Sequence, residues 1–399
     1  MESLKTAKLP ILADEFTCTA CLACENICDQ KAIIHSIGSD GHVHVKIRED
    51  LCVGCLKCQR ICEKSRNCFG ENDIASSNIY AAWTQKHDER MQATSGGVFA
   101  AFAETILNKG GCVIGAELSG FDCRLSVIYK NEDISKLQGS KYMASSMENV
   151  YSIIRAELVR RDVLFTGLGC QCAGVIAYFS GFRTSYTLYT ADLVCGGIPS
   201  RLLIDHYMTT HPDVKGFKSF RTKDLYELKV SAEEGEKTVR EKNLPLHGFN
   251  CGLTNRYNCY NCQFAKAHRK TDITIGDLWD YSVVPQEHKK GVSMVLVHSK
   301  NGQELLESSD IHAEKIQWEG ALLHNKRTVY GKAHVFSPRK RLTRNSQKMN
   351  EEKFRKLYTM DIGPDTPLLF LFRVYRYMIQ RIETKKAIKT IRSIISREN

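Results

Sequence analysis

At 399 residues, with 43% hydrophobic and 25% charged residues, the chain is long enough for a small domain plus a larger one with its own core. The net charge of +11 concentrates at one end: residues 339–399 hold sixteen Lys/Arg against six Asp/Glu, so the rest is nearly neutral, which argues against nucleic acid binding. No run of about eighteen apolar residues and no leader-like start occur, so neither a membrane span nor a signal peptide is expected, and seventeen cysteines point to a reducing, cytoplasmic compartment.

The first cysteine island reads Cys18-x2-Cys21-x2-Cys24-x3-Cys28 and repeats as Cys52-x2-Cys55-x2-Cys58-x3-Cys62. This is the spacing of a bacterial two-cluster ferredoxin. Three closely spaced thiolates cap three irons of one [4Fe–4S] cube, and the fourth cysteine ligates the other cube. The spacing therefore assigns Cys18, Cys21, Cys24 and Cys62 to one cluster, and Cys52, Cys55, Cys58 and Cys28 to the second. Zinc knuckles need only pairs, and a disulfide framework lacks the secretory context. The template carries Pro after each fourth cysteine; here Asp29 and Glu63 stand there, and their charge is expected to lower the cluster potential slightly. Between the copies, Asp40-Gly41 signals a hairpin. Its histidines, His35, His42 and His44, read as a solvated face rather than a metal site. An α+β ferredoxin-like domain over 1–70 follows, then a polar, turn-rich linker over 71–84.

From residue 85 strands and helices alternate, the pattern of an α/β domain with a mainly parallel or mixed sheet, extending to 338. Ser95 reads as an N-cap before a helix over 98–108, with Gly96 and Gly97 exposing backbone N–H groups as a candidate anion cradle. Strands are expected at 112–118 and 125–129, a helix at 148–160, and a short buried strand at 163–166 running into Gly167-Leu-Gly169-Cys170. The Gly167-x-Gly169 turn resembles a dinucleotide fingerprint, but Cys172 occupies its third glycine position. A strand at 187–194 ends near Cys195, and a helix is expected at 200–208. Residues 221–241 read as a polar insertion or hairpin.

Cys259-x2-Cys262 is half of a metal site. Cys170 and Cys195, at the carboxyl ends of adjacent strands, are natural completions and give a third [4Fe–4S] cluster. Cys172 and Cys251 are spare candidates; Cys112 and Cys123 read as ordinary strand or turn residues.

In order along the chain stand Ser95-Gly96-Gly97-Val98-Phe99, Gly139-Ser140-Lys141-Tyr142, Cys170-Gln171, Asp192-Leu-Val-Cys195-x-Gly197-Ile-Pro199-Ser200, Cys259-x2-Cys262 and Asp272-Ile-Thr-Ile-Gly-Asp277-Leu-Trp279. With these, residues 85–338 resemble the coenzyme F-420 hydrogenase/dehydrogenase beta-subunit family, preceded by a fused ferredoxin module. The resemblance implies an iron–sulfur flavoprotein oxidoreductase with FAD and one cluster in this domain. It implies electron traffic between a ferredoxin-type donor or acceptor protein, the clusters, FAD and an organic substrate or deazaflavin. The alternative is a subunit that relays electrons to a partner oxidoreductase and has no substrate of its own. Ser95, Gly96, Gly97, Gly139, Ser140, Lys141 and Tyr142 are the expected FAD contacts. Lys141 is the candidate catalytic cation, Asp277 a hydrogen-bonding partner and Trp279 a stacking partner. Two departures stand out: Gly169 replaces the family's Pro before Cys170, and Gly196 replaces the His after Cys195. The tail over 339–399 reads as a basic amphipathic helix starting near Pro367. It suits peripheral contact with an anionic membrane or packing on its own domain or on a second copy in a homo-oligomer.

Overall fold

The computed structural model describes residues 8–67, 73–222, 227–239, 254–330 and 367–396. The N-terminal module holds α1 (Ala23–Asn26), β1 (Ile33–Ile37), β2 (Val43–Ile47) and α2 (Lys57–Arg66). β1 and β2 form an antiparallel hairpin pairing Ile33 with Ile47 and Ile37 with Val43. Gly41 takes φ +73° in its turn, a conformation open to glycine at no steric cost.

The chain then continues through β3 (Asn78–Thr84), α3 (His87–Gln92), α4 (Val98–Asn108), β4 (Cys112–Ser119), β5 (Asp122–Ile128), α5 (Ile134–Leu137), β6 (Ser145–Ser146) and α6 (Val150–Glu157). Next come β7 (Val163–Leu168), α7 (Gly169–Phe179), β8 (Leu188–Leu193), α8 (Leu202–Thr210), β9 (Val214–Ser219), β10 (Leu228–Ala232) and β11 (Gly235–Val239). The last elements are β12 (Ile273–Asp277), β13 (Ser293–Val297), α9 (Lys300–Ser308), β14 (Ile311–Lys315), α10 (Trp318–His324) and α11 (Pro367–Ile395).

Nine strands form one mixed sheet in the order β14-β3-β13-β12-β8-β7-β4-β5-β6. The centre, β12-β8-β7-β4, is parallel, and antiparallel pairs flank it on both sides. The connections explain the mixture. β4 and β5 are joined by the two residues Gly120 and Phe121, which permits only an antiparallel pair, whereas the crossover through α7 sets β8 parallel to β7. Residues 78–84 correct the expected linker. They form β3, hydrogen-bonded to β13 on one side and β14 on the other, because the apolar run after Ser77 outweighs the turn residues before it. The helix expected over 148–160 spans only Val150–Glu157. The 221–241 segment contains the β10–β11 hairpin, paired with β9 in a separate three-stranded sheet.

One core runs through both parts of the molecule. Leu22, Ala23, Ile33 and Ile61 of the module pack in the same buried cluster as Ile114, Tyr151, Phe165 and Val175 of the sheet and its helices. Each such aliphatic side chain contributes about 1.5–3 kcal/mol on full burial, so the module is held by more than a tether. Tyr151 Oη donates to the Cys21 carbonyl at 2.6 Å. Gly174 on α7 makes room for Cys21, since a methyl group there would sit 2.8 Å from its Cβ.

Candidate functional site: three cysteine quartets and a cavity

Cys18, Cys21, Cys24 and Cys62 line one small, mostly apolar pocket together with Leu12, Val45 and Ser65. Local backbone twist gathers the first three. Ala20 and Leu22 are left-handed (φ 55° and 57°), and Gly54 and Leu56 repeat the twist in the second copy (φ 66° and 59°). Non-glycine residues hold this conformation at a cost of roughly 1–2 kcal/mol each. Such a twist turns successive N–H groups inward as an anion nest, and Ala20 N–H donates to Cys18 Sγ at 3.4 Å. In α2, Cys58 and Cys62 lie one turn apart: Cys58 is within electrostatic reach of Cys28 and Cys55, Cys62 of Cys21, and Cys24 of both. Cys52 begins the second turn and is half-buried, while Cys55 is exposed.

Burial pushes the Cys18, Cys24 and Cys62 thiols above their ordinary range, and the neighbouring thiols add to it. Four thiolates in such a pocket need a cationic core to share, which fits a [4Fe–4S] cube. Asp29 pairs with Lys57 at 2.5 Å on the surface, and Lys57 holds its carboxyl below the usual range. Its charge is therefore matched locally. The hairpin histidines have separate partners: His35 meets Glu25, His44 meets Asp40, and His42 Nε2–H donates to the Thr254 carbonyl at 2.9 Å. The expected solvated face is corrected at His42, which is 3% exposed, because the larger domain covers it. Among the described residues, no three His, Cys, Asp or Glu side chains close on a single-ion site.

The third quartet comes from three separate regions. Cys170 sits in the first turn of α7, Cys195 follows β8, and Cys259 and Cys262 lie on and just after a short 3-10 turn at Tyr257–Asn261. Burial raises the Cys170 thiol well above its ordinary value, with Cys195, Cys259, Cys262 and Cys21 adding in that order. Burial pushes Cys259 up to about 12, with Cys195 adding to it. Gly197 N–H donates to Cys195 Sγ at 3.2 Å. The donor set, with Cys170, Cys259 and Cys262 withdrawn from water and Cys195 half-buried, again suits a four-iron core. Cys172 turns away into the core, its Sγ donating to the Ala191 carbonyl at 3.8 Å. Cys251 lies outside the described residues.

An ion pair that the sequence motifs did not reveal braces this site. Asp192 is fully buried and takes Arg269 Nη1 at 2.5 Å, Thr271 Oγ1 at 3.0 Å and Thr274 Oγ1 at 2.5 Å. Arg269 also reaches the Leu193 and Thr328 carbonyls. The pair ties the end of β8 to the segment that follows Cys262. Gly169 fits against it, since a side chain there would lie 2.9 Å from Asp192 Oδ2 and 3.1 Å from Phe264 Cβ.

Beside the quartet opens a cavity of about 320 Å³. Ser95, Gly97, Gly139, Ser140, Lys141, Tyr142 and Asp277 line it, as do Cys195, Gly196, Gln171 and the N-terminus of α4. Two expected contacts are absent from its wall. Gly96 instead packs against β3 and β13, where a side chain would strike the Ala82 carbonyl, and its N–H donates to Ser293 Oγ at 3.0 Å. Trp279 carries Arg221, whose guanidinium stands 5.3 Å from the indole ring. Ser95 is not the N-cap of α4; Gly97 is, and Ser95 Oγ donates to the Val292 carbonyl at 3.0 Å. Lys141 Nζ donates to the Leu137 and Gln138 carbonyls at 2.7 and 2.6 Å, and burial pushes its pKa down to about 8. Arg221 also lines the cavity. It is 7% exposed, bonds Asp277 Oδ2 at 2.6 Å and the Thr94 carbonyl at 3.1 Å, and was hidden in the sequence among the polar residues after Lys218. The signal available was Phe220-Arg221 at the end of a strand.

At the C-terminal end, Ala387, Ile391 and Ile394 of α11 are buried, the isoleucines against Ile74, Ala267, Leu322 and Val329. Met378 and Ile382 remain exposed. No helix among the described residues is long and apolar enough to cross a membrane.

Residues 160–319 match the family model for the C-terminal part of the coenzyme F420 hydrogenase/dehydrogenase beta subunit, a stretch that contains all four cysteines of the third quartet. Among solved structures the chain is similar to a chain of the F420-reducing [NiFe] hydrogenase complex from Methanosarcina barkeri, at 19% identity over 74% of this chain and 95% of that one, with a TM-score of 0.44. No curated protein matches.

Proposed function

We propose that the chain is an iron–sulfur flavoprotein oxidoreductase that moves electrons between a redox protein at its surface and an organic molecule, or a deazaflavin, in the cavity. One observation carries the reading: Cys195 lies within electrostatic reach of Cys170 and Cys259 and also lines the cavity. When bound, [4Fe–4S] clusters supply single-electron steps and FAD supplies the exchange between single electrons and a hydride.

The residues have distinct tasks. Cys52, Cys55, Cys58 and Cys28 hold the outermost site, with Cys55 exposed to a partner. Cys18, Cys21, Cys24 and Cys62 hold the next, packed through Cys21 against α7. Cys170, Cys195, Cys259 and Cys262 hold the third. In the cavity, Ser140 and the backbone at Gly97 and Gly139 offer polar contacts to FAD, and Lys141 offers positive charge to its diphosphate or its reduced ring. Arg221, fixed by Asp277 and Trp279, adds a second cation. Gln171 fixes the cavity floor: its Oε1 accepts from Leu168 N–H at 2.9 Å and its Nε2 donates to Ser145 Oγ at 2.9 Å. Met378 and Ile382, exposed on α11, are the side chains that would meet a membrane surface.

The test is the iron, sulfide and flavin content of anaerobically purified protein, with spectra before and after dithionite. About twelve irons and about one FAD per chain are expected, from three four-iron sites and one cavity. Protein with about eight irons and no flavin overturns the enzyme reading.

A further inference from the structure

The module's hairpin does more than connect its two cysteine copies. Its loop inserts between two segments of the larger domain, 196–202 and 254–256, which flank Cys195 and Cys259. Ser200 Oγ donates to the Asp40 carbonyl at 2.7 Å, and Arg201 N–H to the Gly41 carbonyl at 3.0 Å. His42 Nε2–H donates to the Thr254 carbonyl at 2.9 Å, and Arg256 Nη1 to the Val43 carbonyl at 2.8 Å. Ser200, Thr254 and Arg256 are all 4% exposed or less, so these bonds are made away from water. The fit is close: a side chain on Gly41 would collide with Ser200 Oγ and stand 2.9 Å from the Leu202 amide.

Both clamped segments are irregular. Segment 196–199 lies outside any helix or strand, and so do Thr254, Asn255 and Arg256. Their mutual bonds are Arg256 N–H to the Ile198 carbonyl at 2.9 Å, Asn255 Nδ2 to the Gly196 carbonyl at 3.4 Å and Ser200 N–H to Thr254 Oγ1 at 3.4 Å. Irregular backbone keeps one conformation when outside partners take up its polar groups. Here the hairpin is such a partner, and Cys195 and Cys259 are five and three residues from Ser200 and Arg256, the nearest residues that it grips.

We propose that the β1–β2 hairpin, through Gly41 and His42, is the clamp that shapes the third thiolate site, so the module is needed to build that site independently of its own eight cysteines. His42 is a positioning residue in this scheme. The proposal rests on the reading of Cys170, Cys195, Cys259 and Cys262 as one cluster site.

The experiment compares the full-length wild type with His42→Ala, His42→Gln and the milder Ser200→Ala. Iron content is measured per chain, and alkylation of individual cysteines is followed in iron-free protein by mass spectrometry. In His42→Ala, iron is expected to fall from about twelve to about eight, with the module's own spectral signature retained. Cys195 and Cys259 are expected to alkylate faster while Cys172 stays protected. His42→Gln, which keeps an N–H donor, restores both readouts, and Ser200→Ala gives a smaller shift of the same sign. Full iron in His42→Ala, even loss from all three sites, or unchanged alkylation of Cys195 and Cys259 would overturn the clamp. A wild type holding only about eight irons overturns the third-cluster reading instead, and the alkylation arm still decides the clamp.

Discussion

The module collects its eight cysteines from one stretch, 18–62, whereas the third quartet draws Cys170, Cys195, Cys259 and Cys262 from turns far apart in the chain. In the module, left-handed residues at Ala20, Leu22, Gly54 and Leu56 bend each loop around its own thiols. In the third quartet no local twist suffices. The parallel strands β7 and β8 bring Cys170 and Cys195 together, and the Asp192–Arg269 pair and the hairpin bring up the segments carrying Cys259 and Cys262. A locally built site tolerates damage elsewhere in the fold; a dispersed one fails with any of its supports.

The largest effect should come from breaking the dispersed site at its ligand. Cys170→Ala should remove about four irons and abolish electron delivery from the module to the cavity, while the module keeps about eight. Retention of all iron, measured by colorimetric assay, would break the comparison. Next in size, Arg269→Ala strands the buried Asp192 carboxylate and should cost about 3–5 kcal/mol in denaturant unfolding. A loss below about 1 kcal/mol, the level of an exposed pair, would show that the support is idle.

The cavity offers a graded test. Lys141 is cationic below its lowered pKa of about 8 and neutral above it, since burial disfavours the charged form. Binding of FAD, an anion, should therefore weaken as pH rises through about 8, and Lys141→Arg should flatten that dependence. Flavin fluorescence titrations on either side of that pH measure it; a flat wild-type profile would remove Lys141 from the site. The smallest effect belongs to the module's surface. Asp29→Asn breaks an exposed pair and should leave the melting temperature unchanged. It should move the nearest cluster potential only slightly upward in a redox titration, and a large shift would mean that Lys57 does not match the charge of Asp29.

Much of this was legible in the chain because spacing is local information. The two C-x2-C-x2-C-x3-C copies, the Asp40-Gly41 turn and the alternation of strands and helices can all be read from residue order. The exclusion of Cys172 needed the helix phase of α7, which turns residues 170 and 172 to different faces. Arg221, Asp192 with Arg269, and the burial of His42 were not legible, since each has its meaning through a partner tens to hundreds of residues away. The strand at 78–84 was missed for the same reason: its neighbours, β13 and β14, lie more than two hundred residues on. Sequence alone determined which residue types gather and at what local spacing, because short-range sterics and turn chemistry act within a few residues. Only the tertiary structure decided which distant groups meet, which charges are paired and which glycines lie under another backbone, because those depend on packing that no local pattern encodes.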